Sequence, residues 1–282
     1  MNQAADSDFL QAMAASSRTR YELASNAVNA DQQRARLAEL DAPLPLELDS
    51  TGFDLIAEVK RRSPAEGDLS DQNLSPVEQA SAYVAGGAVA ISVLTEPERF
   101  AGSLEDLQSI ARVTGPVPVL RKDFLVSPYQ IREARLAGAS GVLLIAAILD
   151  VEQLKAMIAA ALQLDMFVLL EVFDAADLDK AVAVLKSAGP ATDGKRCRYL
   201  LGVNCRDLRD LQVNFAHFEV MAALLPTTMP WVAESGLQTV AQAQQLAQWG
   251  YRLALAGTTL MRSDNPENAV REFTAAGRAA CL

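Results

Sequence analysis

Eight short apolar runs recur along this 282-residue chain, and the cadence limits the folds open to it. The runs are DLIAEVK (54–60), AVAISVLT (88–95), PVPVLRKD (116–123) and GVLLIAAI (141–148). Then come MFVLLEV (166–172), YLLGVNC (199–205), WVAESG (231–236) and RLALAG (252–257). Most are rich in Val, Ile and Leu without strict alternation, the pattern of parallel strands covered on both faces. Between them lie amphipathic stretches such as SPVEQASAYVAGGA, SPYQIREARLAGA, DVEQLKAMIAAALQL and TVAQAQQLAQWGY. They open on Ser, Asp or Thr at an N-cap position. Gly87, Gly138 and Gly250 close three of them, where a left-handed residue ends a helix. Eight such units in about 220 residues predict an α/β fold, a (β/α)8 TIM barrel. An open doubly wound sheet is the alternative. It usually has fewer strands, and no G-x-G-x-x-G turn follows the first run.

Residues 1–50 precede the first strand. They hold the helical patches SDFLQAMAASSRTRYELASNA and ADQQRARLAEL, then the Pro-punctuated DAPLPLELDSTG. This predicts an N-terminal helical extension over residues 1–50 that covers part of a catalytic barrel spanning 51–282. SAGPATDGKRC (187–197) reads as an exposed loop.

Composition excludes several roles. With 25 basic and 35 acidic residues the net charge is −10, so nucleic acid is not an expected partner. A small anionic ligand needs only a local basic pocket and stays open. The longest apolar run, VLLIAAIL, is far short of the roughly 20 residues that span a bilayer. Three cysteines, Cys197, Cys205 and Cys281, have neither zinc spacing nor the number for a disulfide framework. No signal peptide is visible, and a cytoplasmic location is expected. The single histidine, His217, rules out a multi-histidine metal site, so acid–base work falls to Lys, Glu and Asp.

Barrel chemistry belongs at the C-terminal ends of the strands. Polar residues gather there: Glu58 and Lys60, then Lys122 between Arg121 and Asp123, Glu171, Asn204 and Arg206, and Glu234 with Ser235. Alternation puts Glu58 and Lys60 on one face, and likewise Asn204 and Arg206. It also turns Lys122 inward while Arg121 and Asp123 face the other way as structural supports. A structural ion-pair network would account for any one of these charges. Convergence from five strands favours a catalytic cluster. Glu234-Ser235-Gly236 and Gly257-Thr258 follow the last two strands, where barrels often bind phosphate through backbone N–H groups. Phe100, Phe124 and Leu208 lie just past strand ends and offer an apolar wall for an aromatic ring.

These motifs resemble the indole-3-glycerol phosphate synthase family. The matching residues are IAEVKRRSP (56–64), VLTEPERFAGSLEDL (93–107), PVLRKDFLVSPYQIREARLAGASGVLLI (118–145) and LLEVFD (169–174). LGVNCRDL (201–208), AESGL (233–237) and AGTTLMRSDNP (256–266) continue the match. The resemblance implies ring closure, decarboxylation and dehydration of 1-(2-carboxyphenylamino)-1-deoxyribulose 5-phosphate, with no metal or organic cofactor. It implies Lys122 as general acid and Glu171 as general base, with Glu58 and Lys60 completing the cluster. Asn204, Glu234 and Ser235 would orient intermediates, and Ser63 and Arg206 would hold anionic groups. Gly236, Gly257 and Thr258 would contact phosphate, and Phe100, Phe124 and Leu208 would hold the anthranilate ring. Departures stand at Phe173, where the family usually has His, and at Ala65-Glu66, where it has Ser-Lys. Thr258 replaces a commoner Ser or Glu. The expected partner is a small phosphorylated substrate bound to a monomer or weak homo-oligomer, away from membranes. A Schiff-base lysine aldolase, a paralogue acting on a related phosphorylated substrate and a non-catalytic metabolite-binding scaffold are the competing readings.

Overall fold

Each of the eight apolar runs forms a parallel strand in the computed structural model. It describes residues 7–48, 52–64, 67–68, 74–207 and 212–281. The strands are β1 (Asp54–Val59), β2 (Ala90–Leu94), β3 (Val119–Lys122) and β4 (Gly141–Ile145). They continue with β5 (Phe167–Val172), β6 (Tyr199–Asn204), β7 (Trp231–Glu234) and β8 (Leu253–Ala256). Each pairs with its neighbour in sequence, and β8 pairs with β1 to close the barrel. Both faces of these strands are buried, one against the barrel interior and one against the helices. That is why their sequences are continuous rather than alternating. The GVLLIAAI run is divided. β4 stops at Ile145, and Ala146–Ile148 make one turn of 3₁₀ helix whose carbonyl end is held by Lys180 Nζ.

The helices form where their caps dictate. Ser75, Asp150 and Thr239 each accept the N3 backbone N–H, and each has its own N–H taken by the N3 side chain. These boxes start α3 (Pro76–Gly86), α6 (Val151–Gln163) and α9 (Val240–Gln248), which follow α1 (Ser7–Ala27) and α2 (Ala30–Leu37) in the chain. Ser127 caps α5 (Pro128–Leu136), and Ser103 caps α4 (Leu104–Ala111). Gly87, Gly138 and Gly250 have φ of 89, 96 and 93° at the helix ends, as expected.

The extension is helical as read: α1 (Ser7–Ala27) and α2 (Ala30–Leu37). Both dock on α5, and α1 also reaches the end of β3 through Arg20 and Asp123. Gln130 Nε2 donates to Ser17 Oγ at 2.9 Å, and Tyr129 Oη donates to the Ala24 carbonyl at 2.9 Å. Arg132 Nε donates to Gln33 Oε1 at 2.9 Å. Met13 and Ala14 of α1 are buried in the hydrophobic core.

One expectation is corrected. Residues 187–197 are not a simple exposed loop. Thr192–Asp193 and Arg196–Cys197 form a hairpin about Gly194, and Arg196–Cys197 pairs in turn with Leu46–Glu47. Leu46 and Cys197, opposite one another, are fully buried. Two-residue strands carry no periodicity, so neither half announces its partner. The small sheet joins α7 (Ala175–Ser187) to the start of β6, on the barrel end opposite the strand C-termini.

Candidate active site

The strand C-termini surround a cavity of about 480 Å³. Glu58 is its electrostatic centre. Its Oε1 lies 3.0 Å from Lys60 Nζ and its Oε2 lies 3.1 Å from Lys122 Nζ. Burial alone would raise the Glu58 carboxyl, but Lys122 and Lys60 outweigh it and hold it down at about 2. Burial likewise works to lower the Lys122 ammonium, yet Glu58, Glu234 and Glu171 together raise it above the ordinary lysine value. Lys122 is therefore cationic at neutral pH.

Glu171 and Glu234 behave oppositely to Glu58. Burial raises Glu171, with the positive charge of Lys122 and a hydrogen bond from Asn204 opposing it. Burial raises Glu234 well above the usual carboxylate range, and the neighbouring Glu171 adds to the effect. Two adjacent carboxyls in one dry site do not both ionise readily. The cluster thus contains a fixed cation, a fixed anion and two carboxyls that carry protons easily, the equipment for general acid–base chemistry.

Alternation orients Arg121 and Lys122 as expected, while Asp123, one residue past β3, is itself among the residues that line the cavity. Lys122 enters the cavity. Arg121, 2% exposed, points to the helix layer and donates from Nη1 to Glu133 Oε2 at 2.8 Å and to the Gln130 carbonyl at 3.2 Å. Asp123 accepts two hydrogen bonds from Arg20 of α1, at 2.9 and 2.8 Å, one from Thr95 at 2.9 Å and one from Arg121 at 3.1 Å.

The rim after β7 and β8 has the shape of an anion cradle. Ser235 and Gly236 both have φ of 70°, which turns successive backbone N–H groups the same way. The loop after β8 runs through Gly257 into the short helix α10 (Thr258–Met261), which follows α8 (His217–Ala222) and α9 in the chain. Thr259 Oγ1 donates to the Leu237 carbonyl at 2.7 Å and ties the two loops together. Gly257 has a second duty that its motif does not reveal. A Cβ there would stand 2.3 Å from Glu58 Oε1 and 3.1 Å from Lys60 Nζ, so the ion pair occupies the space a side chain would need.

Of the residues singled out from sequence, Glu58, Lys60, Ser63, Phe100, Lys122, Phe124, Glu171, Asn204, Arg206, Ser235, Gly236, Gly257 and Thr258 line this one cavity. Glu234 lies at 0% exposure in the wall behind them, 3.8 Å from Lys122 Nζ. Leu208, Ala65 and Glu66 fall outside the described residues. His217 does not line the cavity. It stacks on Phe173 with centroids 4.8 Å apart, and its Nε2 is 2.6 Å from the Phe173 carbonyl.

Sequence reasoning missed three contributors. Phe9 of α1 lines the cavity and meets Phe124 edge-on at 6.1 Å. Arg262, the residue that caps the end of α10, adds a cation to this rim; its position in AGTTLMR was the available signal. Glu96, fully buried, shapes the loop after β2. Its carboxylate accepts the N–H groups of Glu98, Arg99 and Phe100 at 2.9, 2.7 and 3.1 Å, presenting Phe100 6.2 Å from Phe124.

A closed parallel barrel whose strand ends converge on one acid–base cluster is a (β/α)8 barrel built to carry chemistry on its C-terminal face. Solved structures share the fold. 3-Hexulose-6-phosphate synthase from Salmonella typhimurium aligns with a TM-score of 0.61 at 14% identity, over 81% of this chain and 100% of that one. Thiamine phosphate pyrophosphorylase from Pyrococcus furiosus gives 0.57 at 14% identity, over 82% and 98%. Sequence narrows the class to a family. The profile for indole-3-glycerol phosphate synthase matches residues 10–273. Indole-3-glycerol phosphate synthase of a Nocardioides species is 42% identical over 86% of this chain and 88% of its own length. That of Lactiplantibacillus plantarum is 45% identical over 80% and 82%. The chain belongs to the indole-3-glycerol phosphate synthase family.

Proposed function

We propose that the chain converts 1-(2-carboxyphenylamino)-1-deoxyribulose 5-phosphate to indole-3-glycerol phosphate, carbon dioxide and water, a step of tryptophan biosynthesis. The observation that carries this reading is the buried row Lys60–Glu58–Lys122 set against Glu171 in a cavity with an aromatic wall and a glycine rim. Attack of the aromatic carbon on the ketone develops an alkoxide, and the Lys122 ammonium supplies its proton. An alkoxide is far more basic than an amine, so the raised Lys122 pKa does not prevent the transfer. Loss of carbon dioxide restores aromaticity and needs no base. A second protonation expels the hydroxyl as water while Glu171 takes the ring proton.

Glu58 holds both lysines in place. Asn204 orients Glu171, and Ser235 and Glu234 help orient the intermediates. Gly236, Gly257 and Thr258 give phosphate contacts with Lys60 beside them, and Ser63 and Arg206 hold the anionic parts of the substrate. Phe100 and Phe124 hold the anthranilate ring beneath α1, and Leu208 is assigned to the same ring. A Schiff-base aldolase needs an uncharged amine, and the carboxyls around Lys122 keep it charged. A binding scaffold needs no acid and base poised together.

Incubating purified protein with the carboxyphenylamino-deoxyribulose phosphate is expected to raise indole fluorescence. Absence of signal at micromolar enzyme would overturn the assignment. Gly257→Ala is expected to push Glu58 off Lys60 and lower kcat/KM by about tenfold or more, since a 1 Å misplacement costs up to roughly 10²-fold. Unchanged kcat/KM would show that the Glu58–Lys60 geometry is not needed.

A further inference from the structure

The loop after β2 is shut at its neck and filled by one of its own side chains. The Gly102 N–H donates to the Glu96 carbonyl at 2.8 Å and closes the neck. Only glycine fits there, because a Cβ at Gly102 would stand 2.1 Å from the Leu94 carbonyl oxygen. Ala101, just before it, has φ 53°, in the left-handed region that a residue with a side chain seldom adopts. A turn of that kind persists only where its surroundings over-determine it.

Glu96 supplies the hold. It is 0% exposed and does not line the cavity. Its Oε1 accepts the Glu98 N–H at 2.9 Å, and its Oε2 accepts those of Arg99 and Phe100 at 2.7 and 3.1 Å. Hydrogen bonds to a carboxylate are stronger than neutral ones, so the bonds form a firm clamp. Two of them fall on Phe100 and the residue before it. The base of the loop is fixed as well. Thr95 donates from its backbone N–H to the Lys122 carbonyl at 3.0 Å and from Oγ1 to Asp123 Oδ2 at 2.9 Å. Phe124 follows Asp123 directly, and its ring lies 6.2 Å from that of Phe100. The two rings of the wall are therefore placed against each other by groups outside the cavity.

We propose that Glu96 is a positioning residue for the substrate's aryl ring: it sets the place of Phe100 before substrate arrives, so the ring meets a formed wall. This rests on the reaction proposed above, whose substrate carries that ring. Glu96 touches neither the ring nor the reacting atoms, and it acts only through Phe100. A wall built in advance avoids the ordering penalty that a loose loop imposes on binding. The ring lies against the wall in the bound substrate and throughout the reaction. A displaced Phe100 therefore weakens ground state and transition state alike, and the loss falls on KM rather than kcat.

The test is a double-mutant cycle read by steady-state kinetics. Glu96→Gln keeps the shape but has one acceptor oxygen in place of two, so at least one of the N–H groups of Glu98, Arg99 and Phe100 loses its partner. KM is expected to rise about tenfold, the scale of one good aromatic contact, with kcat within about threefold. Phe100→Ala alone is expected to raise KM by about the same factor, and adding Glu96→Gln to it to raise KM by no more than about twofold further. An unchanged KM in Glu96→Gln overturns the proposal, as does a loss confined to kcat. A further rise beyond twofold in the Phe100→Ala background also overturns it, because a carboxylate that merely stabilises the barrel acts whether or not the ring is present. If Glu96→Gln does not fold, Gly102→Ala strains the neck of the loop and leaves the carboxylate in place. The same cycle with Phe100→Ala then decides by the same criterion. An unsubstituted protein that neither binds nor converts the substrate overturns the proposed reaction and the role of Glu96 with it. An active unsubstituted protein beside additive variants overturns the role of Glu96 alone.

Discussion

Lys122→Met is expected to lower kcat by roughly 10²–10⁴-fold, the contribution of a positioned general acid, while substrate still binds. Met preserves the length of the chain and removes only the ammonium. The loss should fall on kcat and kcat/KM alike, because the proton is needed as the alkoxide develops and not in the ground state. KM should change little, since the glycine rim and the aromatic wall are separate from Nζ. The substitution also leaves Glu58 with one lysine instead of two, at 3.0 Å from Lys60. Its carboxyl should then titrate above its present value of about 2. Steady-state kinetics and a binding measurement with the unreacted substrate check both halves. Turnover within tenfold of the unsubstituted protein would remove Lys122 from the role of acid.

The catalytic row was legible because two simple rules apply to it. A strand covered on both faces has no polar residue until it reaches a barrel mouth, so the charges in VLRKD mark the mouth. Period-two alternation then separates Lys122 from Arg121. Helix starts were equally legible, since Ser75, Asp150 and Thr239 write their capping boxes into four consecutive residues each. What escaped depends on contacts remote in sequence. Phe9 belongs to the wall only because α1 folds back more than a hundred residues onto β3 and α5. Glu96 reads as one of several charges in TEPERF, and nothing local says that it is buried beneath three backbone N–H groups. Gly202 and Gly257 look like any strand or turn glycine. Their use appears only when Glu234 and Glu58 are seen to occupy the space beside them. Residues that act by what they lack are defined by neighbours across the barrel.

Asp123→Ala is expected to destabilise the fold by about 3–5 kcal/mol, the cost of breaking a buried charge network by removing one partner. The Asp123 side chain is 0% exposed and Arg121 2%. Removing the carboxylate strips Arg20 of both its hydrogen bonds and leaves Arg121 with Glu133 alone as ion-pair partner. For a chain of this size that corresponds to a fall in Tm of roughly 5–8 °C. Acid titration distinguishes this from loss of packing. Burial by itself would raise the Asp123 carboxyl, but Arg20 and Arg121 hold it at about 2 against 3.8 unperturbed. A depressed carboxylate stabilises fully above its unfolded value and loses that contribution as pH falls through its folded one. Asp123 should therefore supply about 2 kcal/mol at neutral pH that disappears between about pH 4 and 2. Glu58 acts in the same direction over a similar window. Glu171 and Glu234, raised instead, favour the fold while protonated and lose that contribution as pH rises through their folded values. Denaturant unfolding of Asp123→Ala from pH 7 to 3 should thus show a shallower acid slope than the unsubstituted protein. A Tm drop below 2 °C at pH 7, or identical acid slopes, would show that Asp123 does not anchor the end of β3. Because the same carboxylate joins the β3 strand to α1, the variant should also raise KM through Phe9, with the stability loss and the KM change sharing one cause.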